Sequence, residues 1–454
     1  MNSNKHPLPL FTRSKKRVRE SKTLPSPPTP PDSENAFNNG FALPAPDVKR
    51  AKLKSSMRRH KVVVVGAKGC EVFIPSASSE QATFDTVEAY GLFKQGVRRV
   101  EPKLALRSIM EDFHSEKYLQ CIECDGTTVD QDSLTNETGL TPANLFKGMW
   151  KYCRLVTGAT LVATNELVTG NSTLAISWMG GHSKAAPEAA IGHSFVNDTA
   201  LAVFALRRRF SRIAVIDLSA THPAALQDAF YYSGNVFTVS VHRYDKHHHT
   251  YNTGRRKEKG AEGEGRHTNL NVNMSSNAND QNLLDVVKEI TVGLANTFAP
   301  DCVVCTIGTS GLAGNCSKLK YSPHGIAIAV DSLLKMLDVP TLLLGGDNEW
   351  RGEKQCGQHA RMWTLIVDAA VNATKGVVST LANDIPDEDN PSWKLMGPSF
   401  ELIETLETDQ DESNETMDKR NTNYNDNTAH MHVKLNGIRE RFRKYERCHG
   451  KAGV

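Results

Sequence analysis

Short, continuous runs of apolar and β-branched residues recur along this chain, and they constrain its fold more than any other feature. Helical stretches such as TALAVFALRRRF and NLLDVVKEITVGLANTF separate them. A strand that is buried on both faces is apolar throughout, and strands that alternate with helices form parallel sheets. The sequence therefore predicts an α/β fold built on a doubly wound, mostly parallel sheet. The runs are KVVVV, TLAISW, RIAVIDL, VFTVSV, DCVVCTIG and TLLLGG.

The ends of these runs indicate where a functional site lies. In a parallel α/β sheet, ligands bind in the crevice at the carboxyl ends of the strands. We therefore expect the chemistry of the protein in the loops that follow Trp178, Leu218, Ile307 and Leu344, each of which comes at the end of an apolar run.

The first 60 residues lack hydrophobic periodicity and are rich in basic residues and proline. Such a segment cannot bury enough surface to offset its ordering entropy, so we predict a disordered tail over 1–60 ahead of a folded domain over 61–445. Two basic clusters in the tail predict a nuclear localisation signal, with nucleic-acid contact as the competing interpretation. The clusters contain Lys15, Lys16, Arg17, Lys49, Arg50, Lys52 and Lys54.

Two further polar segments flank or interrupt the predicted domain. LPSPPTPPDSE offers proline-directed phosphorylation sites at Ser26 and Thr29, and the competing interpretation is a solvated polyproline linker. Residues 406–430 are rich in Asn and Asp and predict a disordered loop. The stretch LNGIRERFRKYER that follows predicts a basic helix that closes the domain.

Composition indicates the compartment in which the protein works. The sequence has no run of eighteen or more apolar residues, and its amino terminus is charged where a secretory signal is apolar, so neither membrane insertion nor secretion is expected. Nine cysteines, an odd number in 454 residues, fit reduced thiols better than a disulfide framework. Cys302 and Cys305 fall inside an apolar run, which predicts buried structural thiols. With the basic clusters, these features predict a nuclear protein, with shuttling to the cytoplasm left open.

The segments at the predicted strand ends resemble a known family. The stretch from ISWMGGHSKAAPEAAIGHSFVND to VFTVSVHRYD, with TFDTVEAYGLFKQ, YSPHGIAIAV and NDIPDED, is similar to class I histone deacetylases of the type-8 kind, and the likeness covers residues 62–445. It implies the arginase-deacetylase fold, an eight-stranded, mostly parallel sheet flanked by helices, with a narrow tunnel for acetyl-lysine. It also implies zinc chemistry, in which three protein ligands leave a position open for water and substrate.

The resemblance places the zinc ligands of the family on hydroxyl residues of this chain. Two of the ligands match Ser219 and Thr221, and the third matches Ser310. Neutral hydroxyls neither offset a divalent charge nor bind zinc well, so zinc is not expected. Asp217 and Ser240 match a monovalent-cation site of the family, and a structural potassium ion is the one cofactor that this implies.

The resemblance also places the catalytic groups of the family on unsuited residues. The acid–base pair matches Ser183 and Lys184, which cannot shuttle protons near neutral pH as histidine does. The oxyanion-stabilising tyrosine matches Glu349, and a carboxylate there would repel the developing negative charge. A substrate-gripping aspartate at the rim matches Pro142, whereas structural positions such as Trp363 agree with the family.

Together these matches predict a catalytically inactive histone deacetylase homologue that acts as a nuclear chromatin-interaction or regulatory protein. The expected partners are proteins of chromatin and transcription complexes, histone tails or an active deacetylase paralogue; we expect no membrane association and no direct DNA binding. The alternative is an active zinc-dependent lysine deacetylase whose metal site is rebuilt from His182, His222 and Asp347, since two imidazoles and a carboxylate form a usable zinc set.

Overall fold

The computed structural model describes most of the predicted domain. The predicted tail, with its basic clusters and phosphorylation sites, lies outside the described residues, as do Pro142, Asp347 and Glu349. In the last helix, side chains are described from His430 onward. The described residues are 62–66, 77–124, 137–141, 144–244, 253–315, 317–346, 352–387, 390–404 and 417–450.

Eight strands form one sheet in which every neighbouring pair is parallel. The strands are β1 Val62–Val65, β2 Val97–Val100, β3 Leu174–Ser177, β4 Ile213–Asp217, β5 Val236–Arg243, β6 Asn269–Met274, β7 Cys302–Thr306 and β8 Thr341–Leu344. Their order across the sheet is β2-β1-β3-β8-β7-β4-β5-β6. This confirms the predicted α/β fold with an eight-stranded parallel sheet.

Helices cover both faces of the sheet. Ser322 caps one of them by accepting a hydrogen bond from the Gly325 N–H, and Pro323 follows at the first helical position, where a missing N–H costs nothing. The α-helices are α1 Ala77–Ala89, α2 Arg107–Met110, α3 Glu116–Glu123, α4 Met149–Val168, α5 Asp198–Leu206, α6 Ala224–Phe230, α7 Asp280–Gly293, α8 Pro323–Leu337, α9 Gly352–Lys375 and α10 Met417–His449.

The apolar strands separate the core into two layers. Val62 and Val64 of β1 pack into one hydrophobic cluster, whereas Val63 and Val65 pack into the other, on the opposite face of the sheet. The two cysteines of β7 divide in the same way, since Cys305 belongs to the first cluster and Cys302 to the second. Both thiols are buried, and burial raises the pKa of each, which confirms that they are structural.

The two edge strands are the ones that the apolar runs did not predict. β2 has the sequence VRRV, and only its first residue is buried. β6 has the sequence NLNVNM, in which Asn alternates with apolar residues. The Asn269 and Asn271 amides donate 2.9 Å hydrogen bonds to Oε1 of Gln227, so both buried Nδ2 groups have an acceptor. Strands at a sheet edge need no continuous apolar run, so a search for such runs does not predict β2 and β6.

The last helix begins earlier than the sequence predicts. We expected a disordered polar loop over 406–430, but α10 begins at Met417, so 417–430 is helical. The basic stretch LNGIRERFRKYER forms the packed end of this helix, and adding turns to an existing helix is easier than nucleating one. In the described part of the chain, no helix is both long and apolar enough to cross a membrane.

Candidate functional site

Four neighbouring strands bring the predicted loops together. β3, β8, β7 and β4 lie side by side, and the residues after each strand meet at the carboxyl edge of the sheet. The backbones approach closely there: a Cβ on Gly181 would lie 1.8 Å from the carbonyl oxygen of Gly345. Gly181 has a φ of 92°, a left-handed conformation that favours glycine. The glycines therefore fix the distance between the loops after β3 and β8.

Asp198, at the start of α5, holds the loop that follows β3. Its two carboxylate oxygens accept hydrogen bonds of 2.8 Å from the backbone N–H groups of Gly181 and His182. The Thr160 hydroxyl of α4 also donates to this carboxylate. Burial raises the pKa of the Asp198 carboxyl, while these donors oppose the shift. The loop is thus positioned by a buried side chain and not by its own sequence.

Asn197 precedes Asp198 and secures the rest of the same loop. Its Oδ1 caps α5, and its Nδ2 donates to the carbonyl oxygens of Ser183 at 3.2 Å and Ala185 at 3.0 Å. The Asn197 N–H donates a 2.9 Å hydrogen bond to Nε2 of His114. His114 is a supporting residue that the sequence analysis missed, because its partner is 83 positions away and no local pattern links them.

Asp217, the last residue of β4, links two of the loops. Its Oδ2 accepts a 2.9 Å hydrogen bond from the Ser183 hydroxyl, and its Oδ1 accepts a 2.8 Å hydrogen bond from the Ser219 N–H. The side chain is buried, and burial raises the pKa of its carboxyl. Asp217 therefore ties Ser183, in the loop after β3, to Ser219, in the loop after β4.

The three hydroxyl residues that match zinc ligands differ in their surroundings. Ser219 and Ser310 are buried, and the Ser310 hydroxyl accepts a 3.2 Å hydrogen bond from the Ala220 N–H. A Cβ on Gly346 would lie 2.9 Å from the Ser219 hydroxyl oxygen, so the loop after β8 closes over it. Thr221, in contrast, is exposed. The structure thus places Ser183, Ser219 and Ser310 around the end of β4, with Thr221 at the surface.

Ser240 lies opposite Asp217 in the pairing of β5 with β4, as a shared cation site requires. Its hydroxyl is 2.8 Å from Nδ1 of His242, a buried residue two positions on. A potassium ion held by Asp217 and Ser240 stays a prediction.

The residues of the rebuilt-site alternative lie in different surroundings. Nε2 of His182 is 3.4 Å from the hydroxyl of Tyr152, whereas the His222 ring packs against His242 with ring centroids 4.9 Å apart. Asp347 lies outside the described residues. Within the described ranges, no group of three or more His, Cys, Asp or Glu side chains is arranged to hold a metal ion.

Comparison with known proteins assigns the family. The histone deacetylase domain matches residues 76–360, which include all four loops of the site. The chain belongs to the histone deacetylase family. Its relatives place it among the class I histone deacetylases. Histone deacetylase 8 of Xenopus tropicalis is 30% identical over 321 residues, covering 70% of this chain and 82% of that protein.

Two other relatives agree with this assignment. Histone deacetylase 8 of Danio rerio is 31% identical over 334 residues, which cover 72% of this chain and 83% of that protein. Histone deacetylase 1 of Homo sapiens is 26% identical over 337 residues, which cover 73% of this chain and 66% of that protein. The parallel eight-stranded sheet is consistent with the arginase-deacetylase fold of this histone deacetylase family member.

Proposed function

We propose that this histone deacetylase family member is catalytically inactive and acts in the nucleus as a chromatin-interaction or regulatory protein. The observation that carries the proposal is the chemistry at the end of β4. There the buried Asp217 carboxylate accepts hydrogen bonds from Ser183 and Ser219, and the buried Ser310 hydroxyl accepts one from the Ala220 N–H.

These donors do not fit zinc. A zinc site is built from thiolates, imidazoles and carboxylates, whose charge and basicity offset the cation. Ser219, Thr221 and Ser310 supply only hydroxyls that keep their protons near neutral pH, and Thr221 is exposed. The Asp217 carboxylate lies beside them, but both of its oxygens already accept hydrogen bonds. We therefore assign no step of a reaction to a metal at this site.

The same residues supply no general base. Amide hydrolysis needs a group that takes a proton from the attacking water, and its pKa should lie near the working pH. At the acid–base position the Ser183 hydroxyl is committed as a donor to Asp217. Lys184, the second residue at this position, presents an ammonium group with three donors and no acceptor. The arrangement is that of a retained scaffold without the groups that hydrolyse acetyl-lysine.

The nuclear role rests on the sequence. The basic clusters of the first 60 residues support import, and proteins of chromatin or transcription complexes, histone tails or an active paralogue are the proposed partners. In this account the domain acts through its surface or through a pocket that receives an acyl-lysine side chain without cleaving it.

Turnover on an acetyl-lysine peptide tests the proposal. The full chain is incubated with the peptide and acetate release is measured, with histone deacetylase 8 of Danio rerio as the active control. We expect no release above the buffer blank. Release that a zinc chelator abolishes would overturn the proposal and support the rebuilt site.

A second experiment follows the location of a fluorescent fusion of the full chain in cells. The combined substitutions Lys49→Gln, Arg50→Gln and Lys52→Gln should shift the fusion from the nucleus to the cytoplasm. Unchanged nuclear location of this variant would contradict the import signal.

A further inference from the structure

A cavity of about 910 Å³ lies at the β6 edge of the sheet, away from the candidate site. Its walls are β6, the segment 256–267 that precedes β6, and the carboxyl-terminal half of α10. Ligand pockets in proteins usually have volumes of about 300–1,000 Å³, so this cavity is large enough for a small molecule. No residue from the loops after β3, β4, β7 or β8 lines it.

Positive charge dominates the wall in front of β6. This segment has the sequence RKEKGAEGEGRH, and four of its lysine and arginine side chains line the cavity. They are Arg256, Lys257, Lys259 and Arg266.

The wall formed by α10 has the same sign of charge. Its cavity-lining cations are Lys434, Arg441, Lys444 and Arg447. The spacings of seven residues and then three between Lys434, Arg441 and Lys444 place these three on one face of the helix. Among the described residues that line the cavity, Glu440 is the one acidic residue, and it pairs with Lys444 and Arg447. Glu262 of the other wall pairs with Lys259 and Arg266. The eight cationic side chains around this space therefore outnumber the two carboxylates that pair with them.

The positive charges influence one another across the cavity. Burial and, to a smaller extent, the Arg256 charge lower the pKa of Arg441 to about 10. Burial and the Arg256 charge also lower the pKa of Lys434. His267 has a pKa of about 4, lowered by burial and then by Arg441 and other nearby cations. An anion placed among these groups would relieve their mutual repulsion.

Buried polar contacts hold the wall in front of β6 in place. One carboxylate oxygen of Glu258 accepts hydrogen bonds from the Gly254 N–H and from Nε2 of Gln227, both at 2.9 Å. The Arg441 guanidinium donates to the carbonyl oxygens of Arg256 at 2.9 Å and Glu258 at 3.1 Å. Because these contacts fix the wall within the protein itself, the cavity is preorganised, and little ordering entropy would be lost on binding.

A glycine of α10 gives Arg256 room to approach the helix. A Cβ on Gly437 would lie 2.7 Å from Nη2 of Arg256. Glycine inside a helix is less stabilising than alanine. Gly437 therefore allows the Arg256 guanidinium to lie close to α10, and a larger residue at 437 would displace it.

We propose that this cavity binds a small, multiply phosphorylated anion. A phosphate group carries about −1.5 to −2 charge near pH 7, so a few such groups on one small molecule match eight cations in one cavity. A peptide supplies at most one carboxylate per residue and reaches a lower charge density. Single-stranded nucleic acid binds along grooves lined with aromatic side chains, and the described residues that line this cavity include no Phe, Tyr or Trp. Arginine is suited to phosphate because its planar fork donates two parallel hydrogen bonds.

Calorimetric titration of the full chain with inorganic tripolyphosphate tests the proposal. At about 0.15 M salt, which screens diffuse surface charge, we expect a Kd below about 100 μM. Lys434→Gln combined with Lys444→Gln should weaken binding at least tenfold. The matched control is Lys335→Gln combined with Arg443→Gln, which removes two exposed cations outside the cavity wall and should leave the Kd within twofold. Gly437→Glu, which adds a carboxylate to the wall, should also weaken binding tenfold or more.

Vesicles distinguish the two sources of such a ligand. Flotation with vesicles that contain phosphatidylinositol bisphosphate, but not with phosphatidylcholine alone, would assign a lipid headgroup; tripolyphosphate binding without flotation would assign a free metabolite. The proposal would be overturned if tripolyphosphate gave no titration heat and the vesicles gave no flotation. An equal loss of affinity in the control variant would also overturn it. So would a single-stranded oligonucleotide that binds more than tenfold tighter than tripolyphosphate.

Discussion

The Ser183 hydroxyl donates a 2.9 Å hydrogen bond to Oδ2 of Asp217, across the gap between the loop after β3 and the end of β4. The other oxygen of Asp217 is 2.8 Å from the Ser219 N–H. A buried carboxylate with donors on both oxygens serves the structure of the site. Its partner Ser183 is the residue that we predicted at the acid–base position of the family, so this contact supports the proposal of an inactive scaffold.

Removing this hydroxyl should destabilise the fold. Ser183→Ala leaves one oxygen of a buried carboxylate without its donor, and a hydrogen bond to a charged group contributes about 1.5–3 kcal/mol. We expect the free energy of unfolding in urea to fall by about 2 kcal/mol. Ser211→Ala, at an exposed serine whose backbone N–H contacts Asp301, is the control and should change it by less than about 0.5 kcal/mol. Equal effects would contradict the role of Ser183.

The close approach of two loops makes a second prediction. Gly181 and Gly192 both have positive φ, but only at Gly181 would a Cβ meet backbone, the Gly345 carbonyl. Gly181→Ala should lower the unfolding free energy by more than about 3 kcal/mol or prevent folding, whereas Gly192→Ala should cost about 1–2 kcal/mol for the left-handed backbone alone. Thermal unfolding followed by circular dichroism gives the comparison. Similar melting temperatures for the two variants would show that the loops can separate.

Burial of His114 predicts a pH dependence of stability. Burial lowers the pKa of its imidazole from 6.5 to about 4, so the folded state keeps it neutral while the unfolded chain takes up a proton near pH 6.5. The contribution of the neutral His114 imidazole to the free energy of unfolding is complete above pH 6.5. As the pH falls from 6.5 toward 4, the free energy of unfolding decreases by about 3 kcal/mol. His114→Gln, which can still accept from the Asn197 N–H, should lose less stability than the wild type between pH 7 and 4.5 in urea titrations. Parallel pH profiles would contradict this.

Restoring charged donors should create a zinc site. Ser219→Asp, Thr221→His and Ser310→Asp together supply two carboxylates and an imidazole at the positions that match the ligands of the family. We expect the triple variant to bind about one zinc per chain in competition with a chromogenic chelator, and each single variant to bind far more weakly. Acetate release is not expected, since Ser183 and Lys184 are unchanged. No difference in zinc affinity between the triple variant and the wild type would mean that these positions do not converge.

The central strands could be predicted from the sequence because burial on both faces demands continuous apolar runs, as in Val62–Val65 of β1. β2 and β6 could not, since Arg and Asn occupy positions that an edge strand tolerates. The loops that carry Ser183 and Ser219 could be located from the ends of these runs.

The contacts within the site could not be predicted. The hydrogen bond between Ser183 and Asp217, and the support of Asn197 by His114, join residues 34 and 83 positions apart, and only the packing of the strands and helices sets such distances. The early start of α10 could not be predicted for the same reason. The end of the helix that packs against the domain lies far along the sequence from Met417.

The zinc content of the purified full chain tests the central claim most directly. The protein is produced in zinc-supplemented medium, dialysed, and measured by elemental analysis, with histone deacetylase 8 of Xenopus tropicalis treated in parallel. Our account predicts far less than one zinc per chain, because Ser219, Thr221 and Ser310 offer only hydroxyl donors. One tightly held zinc per chain, removed only by a strong chelator, would contradict it.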